Sequence, residues 1–512
     1  MKKKTWILSA LMYAAVLLVC VGVLHVLKVM TDNQVETRPV YDETTEDAGR
    51  ETESLEDEET EPATPSQAEP ETETEVRRET GYHGWGVNLP QIWAPEPEEP
   101  YVPPRVVLAT DLHYQSREAG DGGEAFQLFV ERGDGKVVEY LPELLEAFID
   151  EVIELQPSAL VLSGDITMNG ERMNHEELSC KLARVEEAGI PVLVIPGNHD
   201  INNTNAAVYY GSEKAEAPSI DGEDFYEIYH AYGYDDALSR DEASLSYVYK
   251  LDEKNWLLML DSCQYDPKNL VEGRIKEETL AWMEEELQKA QEQGIFVLPI
   301  AHHNLLAQSR MYTTQCAMEN NGQVIDLLQK YRLPLFFSGH LHVQRIRKHK
   351  SEPGVPDEAY GIQEIITDAL SIPPCQYGLI TWEEDGSITY ATQAVDVSAW
   401  ARKTGSTDPN LLDFEAWSSE YIQELIIDQI RGIVKNLGND VERSMAAVYA
   451  GVYIDYYAGR QIDAKGVRNS KGYRWWQRNM PDSYLLRELD SMIQDSDRDN
   501  NYFLLPEKEY TE

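Results

Sequence analysis

The 512-residue chain predicts an α/β fold: two mixed β-sheets packed face to face and flanked by helices, with an all-helical module after them and one transmembrane helix before them. Three observations carry that prediction. First, strand-like apolar runs at 106–111, 159–165, 191–197, 256–261, 295–302 and 333–340 alternate with amphipathic stretches near 141–155, 175–188, 277–293 and 323–331, the pattern of βαβ units. Second, runs at 362–370, 377–382 and 388–395 come next with no helix between them, which predicts antiparallel pairing. Third, the chain opens with an apolar segment long enough to cross a bilayer.

That segment runs from Trp6 to about Met30, behind Lys2, Lys3 and Lys4. Some 24 helical residues span roughly 36 Å, against a hydrocarbon layer of about 30 Å. The lysines before it predict a cytoplasmic stub at residues 1–5 and a signal anchor at 6–30. The rest of the chain is then expected outside the cell membrane, as a single-pass protein. No small-x-small cleavage site follows the segment. Lipidation at Cys20 is the competing expectation, and the bulky Val19 argues against it.

Residues 31–100 read as a disordered acidic linker, with 21 Asp and Glu against 4 Arg and Lys. Such a stretch repels itself and buries too little apolar surface to fold. It would tether the folded part off the membrane. Tyr82, Trp85 and Trp93 near its end are candidates to dock on the folded domain. The net charge of −47 lies mostly beyond the linker, so the folded part is acidic too. Duplex nucleic-acid binding is therefore disfavoured, because it depends on cationic neutralisation of phosphates. The five cysteines, at 20, 180, 263, 316 and 375, make no disulfide framework, and Cys180 reads as core filler in a helix.

Residues 101–395 are expected to form the catalytic domain, and its polar blocks carry the chemistry. Asp111-Leu112-His113 follows VVLA, Gly164-Asp165 follows ALVLS, and Gly197-Asn198-His199-Asp200 follows VLVIP. Ala301-His302-His303-Asn304 and Gly339-His340-Leu341-His342 close the fifth and sixth runs, 295–302 and 333–340. Strand ends in an open α/β sheet are where ligands collect. Any one block alone would be a turn or a helix cap. Together they hold six of the chain's eleven histidines at the same end of predicted strands. Burying so many imidazoles and carboxylates without partners is costly, and a cation removes that cost. Carboxylate, imidazole and amide oxygen suit a hydrolytic two-metal centre better than a nucleotide cradle.

With D-x-H, G-D, G-N-H-D, a strand-terminal His and G-H-x-H in this order, the chain resembles the calcineurin-like metallophosphoesterases over roughly residues 104–395. The stretches GDITMNGERMNHEEL (164–178) and IPGNHDINN (195–203) are similar to a bacterial, membrane-anchored branch with members like cyclic-nucleotide phosphodiesterases. The resemblance implies the family's α/β/β/α sandwich and two divalent ions, with Mn, Fe and Zn all suited to the donors. It implies that Asp111, His113 and His342 hold one ion, that Asn198, His302 and His340 hold the other, and that Asp165 bridges them. A bridging hydroxide would attack phosphorus in line. The Ser/Thr protein phosphatases of this superfamily carry G-D-x-x-D-R-G, whereas this chain reads Gly164-Asp165-Ile166-Thr167-Met168-Asn169-Gly170, which disfavours that role.

Several neighbours have assigned roles too. His199 is the candidate for protonating the leaving group, with Asp200 expected to orient it or to cap a helix. His303 is expected beside the ligands, and Asn169, Arg172 and His303 are candidates for touching substrate. His175 reads as a surface or packing residue. Arg345 and Arg347 suit a solvated face as well as substrate binding. The long stretch between Asp200 and Leu245 reads as irregular or helical and is expected to wall the pocket.

Residues 396–512 are expected to be all-helical, from helical spacing over 411–437, 441–459 and 483–493. Their stripe of Tyr449, Tyr453, Tyr456 and Tyr457 suits core packing better than a substrate contact. The expected activity is metal-dependent phosphoester hydrolysis, with diesters preferred over monoesters. Its partner would be a phosphoester small molecule, or alternatively a cell-envelope polymer or lipid headgroup. A non-catalytic surface binding protein is the remaining alternative, and the presence of all seven ligands argues against it. Oligomeric state is not legible.

Overall fold

The computed structural model describes residues 101–309, 316–349 and 361–507. The predicted anchor at 6–30, the linker at 31–100, Cys20 and the aromatic cluster of Tyr82, Trp85 and Trp93 lie outside the described residues. Among the described residues no helix is long and apolar enough to cross a membrane.

The chain first lays down three short parallel strands, β1 (Arg105–Ala109), β2 (Ala159–Ser163) and β3 (Val192–Ile195). A small antiparallel hairpin comes next, β4 (Ala207–Tyr210) with β5 (Glu213–Glu216). The second sheet collects β6 (Ser239–Arg240), β7 (Tyr247–Lys250), β8 (Asn255–Leu260), β9 (Phe296–Ala301), β10 (Leu335–Ser338), β11 (Arg345–Lys348) and β12 (Gln363–Ile366). Its order is β11-β12-β10-β9-β8-β7-β6. The chain then returns to the first sheet with β13 (Gln376–Trp382), β14 (Ile388–Ala394) and β15 (Tyr502–Leu505), giving the order β15-β14-β13-β1-β2-β3.

Side-chain alternation explains why the sheets stack. In β8, Leu257 and Met259 pack into one apolar cluster with β1–β3, while Trp256, Leu258 and Leu260 pack into another with the helices on the far side. The same split puts Leu298 and Ile300 of β9, and Leu335 and Phe337 of β10, on the inner face. Both faces of these strands are therefore dry, which is why they read as unbroken apolar runs rather than alternating ones. Burying each such Leu or Ile stabilises the sandwich by roughly 1.5–3 kcal/mol. The Leu141–Leu155 and Arg172–Glu187 helices cover the first sheet, and the Glu277–Gln293 and Asn321–Lys330 helices cover the second. The result is the expected helix/sheet/sheet/helix sandwich.

Three expectations need correction. The run at 362–370 does not pair only antiparallel: β12 lies parallel to β10 and antiparallel to β11. A parallel neighbour requires a long connection, and the chain between β10 and β12 provides it through β11. The stretch from Asp200 to Leu245 is not simply irregular or helical, since it contains the β4–β5 hairpin and β6 beside the Gly222–Tyr229 helix. The C-terminal module is not all-helical. After seven helices between Val397 and Asp495, β15 adds an edge strand to β14. The tyrosine stripe is core: Tyr449, Tyr453 and Tyr456 are buried, and Tyr457 stacks on Tyr453 with ring centroids 4.0 Å apart.

Candidate metal centre

The parallel strands of each sheet end level, because their registers are unshifted: Ala109 pairs with Leu162, Ser163 with Ile195 and Leu260 with Ala301. The chain leaving β1 brings Asp111 and His113, and β2 leads to Asp165. Asn198 and His199 come after β3, His302 after β9, and His340 and His342 after β10. Asp111, His113, Asp165, His340 and His342 have φ values of 52°, 44°, 48°, 72° and 54°. Left-handed backbone costs roughly 1–2 kcal/mol for a residue with a Cβ, and strain gathered in one place marks a functional site.

Glycines make the close approach possible. A Cβ on Gly197 would lie 2.1 Å from the Asp165 nitrogen, and one on Gly339 would lie 2.1 Å from Thr110 Oγ1. One on Gly164 would lie 2.6 Å from His302 Nδ1. All three glycines sit inside the blocks that the sequence singles out.

The candidate ligands form two groups that meet at Asp165. In the first, His113 Nε2 and His342 Nε2 stand 3.0 Å apart, and Asp111 Oδ1 lies 3.2 Å from His342 Nε2. In the second, His302 Nε2 lies 3.3 Å from Asn198 Oδ1, and the His302 and His340 rings are 5.2 Å apart at their centroids. Asp165 Oδ2 is 3.3 Å from His302 Nε2 and 3.9 Å from His113 Nε2, so one carboxylate oxygen faces both groups. Asp165 Oδ1 accepts from the His199 backbone N–H at 2.7 Å.

Does this arrangement fit divalent cations? Asp111 Oδ1 is buried and accepts no hydrogen bond. Its other oxygen is satisfied by the Thr110 hydroxyl at 2.8 Å and the His340 N–H at 2.9 Å. Two ligand atoms bound at about 2.1 Å to one cation, at right angles, stand about 3 Å apart, and the donor separations within each group match that. His302 Nδ1–H donates to the Ser163 carbonyl at 3.0 Å, which leaves the Nε2 lone pair facing Asp165 and Asn198. Burial holds the His113 imidazole well below its ordinary range, in the neutral form that ligates. Burial pushes Asp165 upward, but the facing imidazoles of His302 and His199 outweigh it and hold the carboxyl well below its usual range. The donors fit.

His199 lies beside the two groups, with its ring fixed from one side. Its Nδ1 faces two acceptors, the Met168 carbonyl at 2.9 Å and Asn169 Oδ1 at 3.1 Å, so Nδ1 carries hydrogen. Nε2 then points toward the centre, 4.0 Å from Asp165 Oδ2, on a side chain 30% exposed. Asn169 thus positions His199, and the hydrogen bond occupies its side-chain oxygen.

Asp200 does not orient His199. Its carboxylate accepts backbone N–H groups of Gly197 at 2.8 Å, Thr167 at 2.9 Å and Ile166 at 3.2 Å, and so staples the G-D loop to the G-N-H loop. Burial and then the charge of Asp165 push its carboxyl up to about 7. Arg172 instead pairs with Asp224 at 2.5 Å and Glu176 at 3.9 Å, in contacts the sequence reading did not expect. His303 is no substrate group either. It is fully buried, with the Ser262 hydroxyl on Nδ1 at 2.8 Å and Nε2–H donating to the Val271 carbonyl at 3.0 Å.

His175 proves to be a packing residue, fully buried, with Nε2 against the Asp200 carbonyl at 3.0 Å and Nδ1 against Tyr229 Oη at 3.0 Å. Arg345 is not on a solvated face, whereas Arg347 stays partly exposed as expected, at 29%. Arg345 is buried against Asp495 at 3.5 Å and Arg347 donates to the Ala307 carbonyl at 2.6 Å. Cys180 is exposed, not core filler, because the buried stripe of its helix runs through Asn174, His175, Leu178, Leu182 and Val185.

Two residues at the site had no role in the sequence pattern. Asp134 Oδ2 lies 3.6 Å from Nδ1 of His342, and Lys136 forms an ion pair with that same carboxylate. They lie in Gly133-Asp134-Gly135-Lys136, which reads as an ordinary turn. The only available signal was a charged pair flanking a glycine.

Comparison with known proteins agrees with this geometry. Residues 104–344 match the calcineurin-like phosphoesterase family, and residues 396–499 match the C-terminal domain of cyclic nucleotide phosphodiesterase. A probable cyclic nucleotide phosphodiesterase from Ruthia magnifica subsp. Calyptogena magnifica is 37% identical over 65 residues, 13% of this chain. The match spans 26% of that relative's length. A dimetal phosphatase from Danio rerio superposes with a TM-score of 0.41 at 16% identity, over 57% of this chain and 96% of that one. A purple acid phosphatase from yellow lupin (Lupinus luteus) seeds gives 0.37 at 16% identity, over 57% of this chain and 52% of that one. Residues 104–344 thus carry a calcineurin-like phosphoesterase domain, the type found in metal-dependent phosphoester hydrolases, and the strand-end Asp and His donors lie within that stretch.

Proposed function

We propose that this chain hydrolyses phosphodiesters at a dinuclear centre, with cyclic nucleotides the first substrate class to try. The observation that carries the proposal is Asp165, whose single oxygen Oδ2 faces the imidazoles of both ligand groups. A carboxylate suits a shared position, since it brings negative charge between two cations. Asp111, His113 and His342 would hold one ion and Asn198, His302 and His340 the other. Bound there, the ions would neutralise phosphoryl charge and supply hydroxide at neutral pH.

The remaining chemistry belongs to the chain's own side chains. His199 is held by Met168 and Asn169 through Nδ1, so its ring cannot swing, and Nε2 is the atom that carries a proton to the departing alkoxide. The Asp200 staple keeps the loops bearing Asp165 and Asn198 in register, which protects the alignment on which in-line attack depends. The diester preference draws on the C-terminal match and on the name of the Ruthia relative.

Turnover of bis(4-nitrophenyl) phosphate and of 4-nitrophenyl phosphate by the manganese-loaded full chain tests this. The diester should be preferred, and a preference for the monoester of about tenfold or more in kcat/KM would contradict the diester assignment. We also infer an extracellular catalytic domain on a membrane anchor, on the strength of Lys2–Lys4, the apolar segment after them and the acidic tether. Protease added to intact cells should remove the activity from the surface; full protection would contradict that placement.

A further inference from the structure

We propose that Asp134 is a positioning residue for His342, and that the C-terminal helical region sets the affinity of the Asp111/His113/His342 group by bracing the loop that carries it. The inference rests on the dinuclear reading above and assigns a task to residues 414–433.

Asp134 meets His342 on the side opposite the other ligands: Oδ2 is 3.6 Å from Nδ1, while Nε2 faces Asp111 and His113. A carboxylate on the far nitrogen of a ligating imidazole fixes the tautomer and the ring orientation and makes the ligand more basic. Lys136 pairs with the same carboxylate and keeps it from turning to solvent.

The loop itself has no regular structure to hold it. Its support comes from one helix, Phe414–Ile433, nearly 300 residues away in sequence. Tyr421 Oη donates to the Lys136 carbonyl at 3.1 Å, and Gln429 Nε2 donates to the Gly133 carbonyl at 3.5 Å. Between them Ile422 presses on Gly135, where φ is 105° and a Cβ would lie 2.9 Å from Ile422 Cδ1. Beyond the loop, the Val137 N–H donates to the Ser371 carbonyl at 2.9 Å, and the Ser371 hydroxyl donates to the Asp111 carbonyl at 2.8 Å. Val343, next to His342, is buried in the apolar cluster of the same helical region. The brace therefore reaches His342 and Asp111. The contacts that hold His302 come instead from the strand end at Ser163.

The test is manganese binding to the metal-free full chain, measured by titration, for wild type, Asp134→Asn and Tyr421→Phe. Wild type should bind two ions; fewer would overturn the dinuclear reading itself, not this inference alone. Asp134→Asn should weaken one of the two sites by about 10–100-fold, the usual cost of losing such a partner, with the other held within about twofold. Tyr421→Phe removes only a hydroxyl and should weaken the same site by a few-fold, so it carries the test if Asp134→Asn does not fold. With two ions bound by wild type, unchanged affinities in the variants, or an equal fall at both sites, would overturn the proposal.

Discussion

The two halves of the candidate metal centre present similar donors but are held in different ways. The His302 half is braced from within the sandwich. Ser163 at the end of β2 fixes the His302 ring, and Asn304 ties the loop after it to Ser338 and Gly339. Glu364 on β12 gathers the N–H groups of Leu305 and Leu306 and the side chains of Gln308 and Ser338, all within 2.7 Å. Burial pushes that carboxyl up to about 7 in spite of its four donors. The His342 half leans on a turn, Gly133–Lys136, which leans in turn on a helix of the C-terminal region. One half is built by the sheets, and the other also draws on the C-terminal helical region.

The largest expected effect erases the comparison by removing what the halves share. Asp165→Asn takes away the oxygen facing both groups and should lower kcat/KM by at least about 10³-fold, the upper end of what one lost catalytic donor costs. Metal analysis should show both ions weakened, and near-normal turnover would break the account. His199→Asn should reduce the rate by about 10²–10⁴-fold on a substrate with a poor alkoxide leaving group and far less on one releasing 4-nitrophenol. Equal losses on both substrates would remove His199 from the proton-donor role.

Gly197→Ala sharpens the geometry: its Cβ would lie 2.2 Å from Asp165 Oδ1. Displacement of the shared carboxylate by about 1 Å should cost about 10²-fold in kcat, with overpacking lowering stability by about 1–3 kcal/mol.

The smallest effect is one of pH. Burial holds His175 at about 3 in the folded protein, against 6.5 for the free side chain. Below pH 6.5 the unfolded chain gains a proton that the folded chain does not. The stability tied to neutral His175 is thus complete above pH 6.5 and is lost as pH falls toward 3, by about 1.4 kcal/mol per pH unit over most of that range. Thermal melts of wild type and His175→Asn from pH 7 to pH 4 should converge; parallel melting curves would contradict it.

The difference between the halves also explains how much the sequence could reveal. Asp111, Asp165, Asn198, His302 and His340 were legible because each sits just past a buried parallel strand, and unbroken apolar runs such as ALVLS and FVLPIA announce such strands. The sandwich was legible in the same runs. Asp134 was not legible, because Gly-Asp-Gly-Lys looks like any exposed turn until Tyr421 and Gln429 close over it. Asp200 and His303 misled for the opposite reason. Adjacent to ligands in sequence, they turn inward to satisfy backbone amides, a hydroxyl and a carbonyl. β15 escaped notice as four residues whose pairing with β14 depends on a partner more than 100 positions earlier. Local pattern reports strands and the residues just past their ends, but long-range bracing leaves little local trace.

The shared carboxylate is tested most directly by electron paramagnetic resonance of the full chain reconstituted with manganese. Two ions per chain should give an exchange-coupled spectrum in wild type, and that coupling should vanish in Asp165→Asn. A single bound ion, or two uncoupled ions in wild type, would contradict the account.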